Sequence, residues 1–255
     1  MKRTQLWTII SLVIALLLLQ TVSAMSASEA KQDWLAAKQV SSEKQAQHRE
    51  AKADFAADKS EGNRQKVVDT GKAVLDAALD EADAWLTWKD LEAEENPLVP
   101  EDIKQAIFDD VETNRAKIDA LRDDVDAVKN QVELGLTWLK MVGKYFELLS
   151  DVMRNSGAMW VHVAQDRADT IGDFEQKLRA GTSDPEVLSE LDQAKAELKT
   201  AEDNIARAGE SYKQVKIPGT PLIKFHEGNL NLQLAKTNML AAHMHLNLAY
   251  AAMVR

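Results

Sequence analysis

The chain contains no cysteine. That one absence excludes disulfides, thiolate metal ligands, thiol nucleophiles and a lipid anchor attached through cysteine. Glycine and proline are sparse, at 10 and 5 of 255 residues. A β-protein needs turn residues about every eight to twelve positions, so the expected fold class is all-α. Catalytic signatures are missing too. The sequence has no glycine-rich phosphate loop, no G-x-S-x-G and no H-E-x-x-H. It also lacks the E-x-x-H pairs with which helical bundles hold two metal ions. No residue is assigned a catalytic or metal-binding role, cofactor-binding residues stay unassigned, no cofactor is expected, and the chain is not read as an enzyme.

Positive charge is in deficit. Lys and Arg number 31 against 41 Asp and Glu, a formal net charge of −10. An acidic surface repels phosphate backbones and anionic headgroups, so nucleic acid and membrane surfaces are not expected partners.

The N-terminus runs against that trend. Lys2 and Arg3 precede an apolar run from Leu6 to Leu19, and Val22-Ser23-Ala24 supplies small residues. This is the order of an export signal, with cleavage expected near Ala24 and residues 1–24 removed. The run is short for a membrane span, which needs about 20 apolar residues; retention as an anchor is the alternative. No acid lies among residues 1–24, so losing Lys2 and Arg3 takes the formal charge from −10 to −12. The expected location is extracytoplasmic: periplasm, cell surface or secreted.

Breakers divide the rest of the chain into helices. Ser26 and Glu29 form a capping box opening a helix through Trp34 to Phe55. A turn is expected around Ser60, Gly62 and Asn63. A second helix carries Val68, Leu75, Leu79, Ala82 and Leu86 at helical spacing and ends at Asn96-Pro97-Leu98-Val99-Pro100. Pro100 suits the first position of a third helix. There, apolar residues recur every seventh position, from Val111 through Ile118, Val125, Val132, Leu139, Phe146 and Met153 to Trp160. A turn near Asn130 or Gly135 would reset this phase, and the phase continues, so one unbroken helix is predicted over 101–178. It would run roughly 115 Å at about 1.5 Å per residue. A four-residue stutter is expected at Ala164, Ala168, Ile171, Phe174 and Leu178, with Gly181 as a C-cap.

Ser183-Asp184-Pro185-Glu186 opens a fourth helix, and Thr220-Pro221 a fifth after the turn at 216–221. Both alternate large rows with small ones. Leu191, Leu198, Ile205 and Tyr212 lie beside Ala194, Ala201 and Ala208; Phe225, Leu232, Met239 and Leu246 lie beside Gly228, Ala235, Ala242 and Ala249. Small rows let backbones approach closely, which predicts a tight antiparallel pair. The assembled expectation is two tandem three-helix bundles, 25–138 and 139–255, sharing the central helix. As architecture this looks like the spectrin-repeat arrangement, although no sequence motif of that family is present. Trp34, Trp85 and Ile107 should then lie at one level of the first bundle.

Histidines are the remaining candidates for chemistry: His48, His162, His226, His243 and His245. On a helix, His243 and His245 point about 200° apart and cannot share an ion. His162 and Asp166 read as an exposed pair. Acid clusters at Asp80-Glu81-Asp83, Asp109-Asp110-Glu112 and Asp123-Asp124-Asp126 read as solvated helix faces. Thr237 to Val254 carries no Lys, Arg, Asp or Glu. Asn238, His243, His245 and Asn247 make it a buried bundle helix rather than a span.

The expected function is a non-catalytic extracytoplasmic rod or scaffold presenting acidic helical faces to protein partners, among them cell-envelope components. One alternative is a metal-, haem- or ligand-binding bundle drawing on His162, His243 and Met244. The other is a membrane-active bundle using the charge-poor last helix. Membrane contact would otherwise come only through an uncleaved N-terminal segment.

Overall fold

The computed structural model describes residues 25–254; the expected export signal over 1–24 lies outside them. The described residues form six α-helices and no strand: α1 (Ala27–Ala57), α2 (Glu61–Glu94), α3 (Glu101–Asp126), α4 (Gln131–Ala180), α5 (Pro185–Lys213) and α6 (Pro221–Met253). The all-α class is as expected.

The breakers act as their chemistry requires. The Ser26 hydroxyl accepts from the Glu29 N–H, and the Glu29 carboxylate accepts from the Ser26 N–H in return. Ser60 accepts from the Asn63 N–H to start α2. Asp184 caps α5, with Pro185 at its first turn, and Gly181 ends α4. Pro100 lies one residue earlier than expected, as the N-cap of α3.

The predicted unbroken helix over 101–178 is not formed. It stops at Asp126, and Asn130 starts a new one: its side-chain oxygen accepts from the Val132 and Glu133 N–H groups. The Glu133 carboxylate accepts in turn from the Lys129 N–H and the Asn130 amide. An N-cap with a carboxylate three residues on satisfies the free donors of a helix start, and this outweighs the seven-residue spacing. Past the break that spacing no longer marks the core until Met153, which is buried in the second group. Val111, Ile118 and Val125 are buried, whereas Val132, Leu139 and Phe146 are 73, 62 and 42 % exposed. In α4 the core-facing row is Leu134, Met141 and Leu148.

α3 therefore doubles back, and α4 returns antiparallel to it. Arg154 of α4 donates to Asp110 of α3 at 2.6 Å, and Lys140 pairs with Asp124. Two helical groups share α4, which at 50 residues is about 75 Å long. The first group is α2, α3 and the first part of α4, around Leu79, Leu86, Ile107, Ile118, Val125 and Met159. The second is the rest of α4 with α5 and α6.

Among the described helices α1 lies along α2 alone. Its sequence is highly charged, and it buries only Ala30, Ser41 and Ala51. Polar contacts and one stack hold it. Trp34 stacks on Trp88 with ring centroids 5.0 Å apart, Lys66 pairs with Asp54 at 2.7 Å, and His48 Nδ1 lies 3.0 Å from the Thr70 hydroxyl. Trp34 thus meets Trp88, while Trp85 packs on the core that contains Ile107.

α5 and α6 form the expected close pair. Ala194, Ala201 and Ala208 face inward with Ala235, Ala242 and Ala249, all fully buried. Tyr212 fills a notch made by the absence of side chains at Gly157 and Gly228, where a Cβ on either would overlap its ring. Its hydroxyl donates to Asn229 at 2.7 Å. Burial pushes the phenol pKa up to about 12.

Candidate functional site

Because α1 touches only α2, and α4 packs on another side of α2, a groove opens between α1 and α4. α2 supplies its floor through Val67, Gly71, Val74, Leu75 and Ala78. α4 supplies one wall through Leu134, Gly135, Trp138, Val142, Tyr145 and Phe146. α1 supplies the other through Gln45, His48, Arg49, Lys52 and Phe55, and the turn that follows α1 adds Lys59. Two adjoining cavities of about 770 and 520 Å³ make up the groove, meeting at His48, Val74, Leu75 and Trp138. Each volume lies within or near the range of about 300–1,000 Å³ usual for small-ligand sites.

Local sequence explains this shape. The α1 wall residues recur at helical spacing, so they form one stripe. At Gly71 a Cβ would overlap Leu134 and crowd His48. Glycine there lets α4 seat against α2 while leaving the groove open above. At Gly135 nothing lies within 4 Å of a Cβ position. The wall opposite α1 is aromatic at Trp138, Tyr145 and Phe146, with Trp138 52 % exposed.

The charge of the groove is opposite to that of the chain. No Asp or Glu lines it, while Arg49, Lys52 and Lys59 do. Among the described residues these three cations make no ion pair or side-chain hydrogen bond, unlike Lys66, Arg115 or Arg154. Glu50, beside Arg49 in sequence, is exposed and does not line the groove, and other nearby acids are engaged elsewhere. Asp54 holds Lys66, Asp58 accepts from the Ser60 N–H and the Asn63 amide, and Glu133 is spent on the start of α4. Burial, then Lys52, holds the His48 pKa below its ordinary value.

The predicted histidine candidates do not converge. His226 and His243 are exposed on α6, and His162 is partly exposed on α4. His245 is half-buried, with Nδ1 2.8 Å from the Glu190 carboxylate. Met244 is exposed, and none of the larger cavities is lined by His162, His243 or Met244. Among the described residues no group of three or more His, Asp or Glu could hold a metal ion. The acid clusters do more than face solvent. Asp80 pairs with Arg122 at 2.8 Å, Asp83 and Glu112 flank Arg115, and Asp110 binds Arg154 and Asn155. They tie α2, α3 and α4 together.

Among the described residues two apolar surfaces stand without a neighbour. One is the ridge of Val132, Leu136 and Leu139 on α4, beside the groove. The other is the outer row of α6, with Leu230, Leu234, Leu240, Met244 and Leu248. No helix among the described residues is long and apolar enough to cross a membrane. No protein-family model, curated protein or solved structure matches this chain.

Proposed function

We propose that the protein is a non-catalytic, extracytoplasmic scaffold whose helical faces engage protein partners. The observation that supports this reading is α4 with its uncovered ridge. One 50-residue helix belongs to both helical groups and fixes their spacing. Its first three turns carry Val132, Leu136 and Leu139 into solvent. Exposed apolar rows on rigid helices fit helix-on-helix recognition, where residues three and four apart enter a partner's surface. The acidic surface proposed from sequence becomes the polar rim around such rows rather than the contact itself.

Site-specific photo-crosslinking in the native cell tests this. A benzophenone side chain at position 139 should give a discrete protein adduct, and Leu136→Glu in the same chain should abolish it. The same probe at Lys199, on the polar face of α5, should give none. Adducts at 139 with lipid only, or none at all, would overturn the scaffold reading.

A further inference from the structure

The groove adjoins the apolar ridge, shares none of its side chains and has a chemistry of its own. An apolar floor, an aromatic wall and a row of free cations within a chain of net charge −10 select against most of the protein's own surface as an occupant. They select for a molecule that is apolar along its length and negative at one end. We propose that the groove binds a single long-chain carboxylate, a fatty-acid anion. The alkyl chain lies along Gly71, Val74 and Ala78, against Trp138 and Phe146. The carboxylate lies at the Lys52–Lys59 end.

Three observations converge on that placement. Lys52 and Lys59 line the groove where α4 begins, so the carboxylate is also near the positive end of that helix dipole. Arg49, one turn from Lys52 on the α1 wall, lines the second cavity and lies between that end and the far one. The far end, bounded by Met141, Tyr145 and Phe146, carries no charged side chain on its α4 wall. The length fits too. From Gln131 to Phe146 the wall runs about 22 Å at 1.5 Å per residue, and an acyl chain spans about 15 Å, half of a bilayer's hydrocarbon core. The remainder accommodates the head. A helical peptide of that length is marginal in water and would have to fold as it bound, whereas an amphiphile needs no folding. This inference goes beyond the scaffold reading and does not depend on it, since Leu136 and Leu139 do not line the groove.

The test titrates the protein, in the form the cell makes, with hexadecanoate below its micellar concentration. Stoichiometry comes from calorimetry. Trp138 emission is read against a Trp138→Phe control. Saturable binding of one molecule per chain with a blue-shifted Trp138 is expected. Arg49→Glu, Lys52→Glu and Lys59→Glu together should weaken it by at least about tenfold, since exposed charge contacts are individually small and add. Gly135→Leu should abolish binding while leaving the far-ultraviolet spectrum intact, because its side chain has open space and leucine is the better helix former. Hexadecyltrimethylammonium, of equal chain length and opposite charge, should bind far more weakly. Equal binding of the two amphiphiles, or an unaffected triple variant, would overturn the proposal. So would binding of an acidic amphipathic peptide without hexadecanoate, which would assign the groove to a protein partner. The position-139 crosslink reads the scaffold separately, so either idea can fail alone.

Discussion

Along α5 and α6 small rows of alanine meet, and Ala194, Ala201, Ala208, Ala235, Ala242 and Ala249 are wholly buried. Along α1 the buried residues are only Ala30, Ser41 and Ala51. Both regions are helical hairpins of similar length, yet one closes and the other leaves a groove. Small residues alone do not explain this, because α1 also has many alanines. The difference lies in the large rows. Leu191, Leu198, Ile205 and Tyr212 interleave with the small rows of α6, and α4 covers the seam. α1 offers α4 glutamine, histidine, arginine and lysine instead, and charged side chains do not leave water to fill a helix interface without partners. Polar and charged side chains that keep their water leave the seam between the two helices open.

The largest expected effect concerns the helix break on which this contrast rests. Spin labels on cysteines introduced at Glu101 and Lys177 are unambiguous in a cysteine-free chain. Because α3 doubles back along α4, the labels should lie about 25 Å apart, against about 115 Å for one continuous helix. Pulsed dipolar spectroscopy separates these outcomes at once. A signal beyond its range would restore the rod and remove the groove, since α4 could then not return alongside α2.

Next in size is the notch in the C-terminal group. Tyr212→Ala removes the ring packed at Gly157 and Gly228 and should cost about 3–5 kcal/mol, as aromatic-to-alanine changes in cores do. Urea unfolding measures it. A loss below about 1 kcal/mol would show that the two regions are packed equally loosely. For α1 the matching change is Trp34→Ala. It loses one stack, worth about 0.5–1.5 kcal/mol, and should speed amide exchange at the start of α1 while sparing α3. Equal losses of protection in α1 and α3 would mean that α1 is an integral part of the first core.

The same contrast explains what could be read from sequence. The α5–α6 pair was legible because its period, its caps and its small rows all point to one face, and helix packing uses just those features. The break at 127–130 was legible only at Asn130 and Glu133, whose cap competes with a seven-residue spacing running straight through it. Spacing alone does not say which residues of a row face the core, and Val132 and Leu139 belong to the row while lying in solvent. The groove left a partial trace. Gln45, His48, Arg49 and Lys52 share a helix face without an acid, inside an acidic chain. What faces that stripe depends on α4 turning back, which the spacing argued against. The ion pairs among α2, α3 and α4 were hidden for the same reason.

The smallest effect separates the two regions electrostatically. Asp76 of α2 is partly buried, and its carboxyl pKa is held above the ordinary 3.8, first by burial and then by Asp126, with Asp80 adding and Arg122 and Lys72 opposing. Below pH 3.8 the carboxyl is protonated in the folded and unfolded chains alike, and it contributes no difference. As pH rises the unfolded chain ionises first, while the folded chain holds its proton until the raised value is passed. Stability is lost across that window and stays lost at neutral pH. Asparagine resembles the protonated form at every pH. Asp76→Asn should therefore change little near pH 3.5 and stabilise at pH 7, by less than about 1 kcal/mol because the site is partly exposed and screened. Urea midpoints at the two pH values give the sign. Destabilisation at pH 7 would mean that Arg122 and Lys72 outweigh burial, and that the first group is held at this position by charge, where α5 and α6 are held by the packing of their small and large rows.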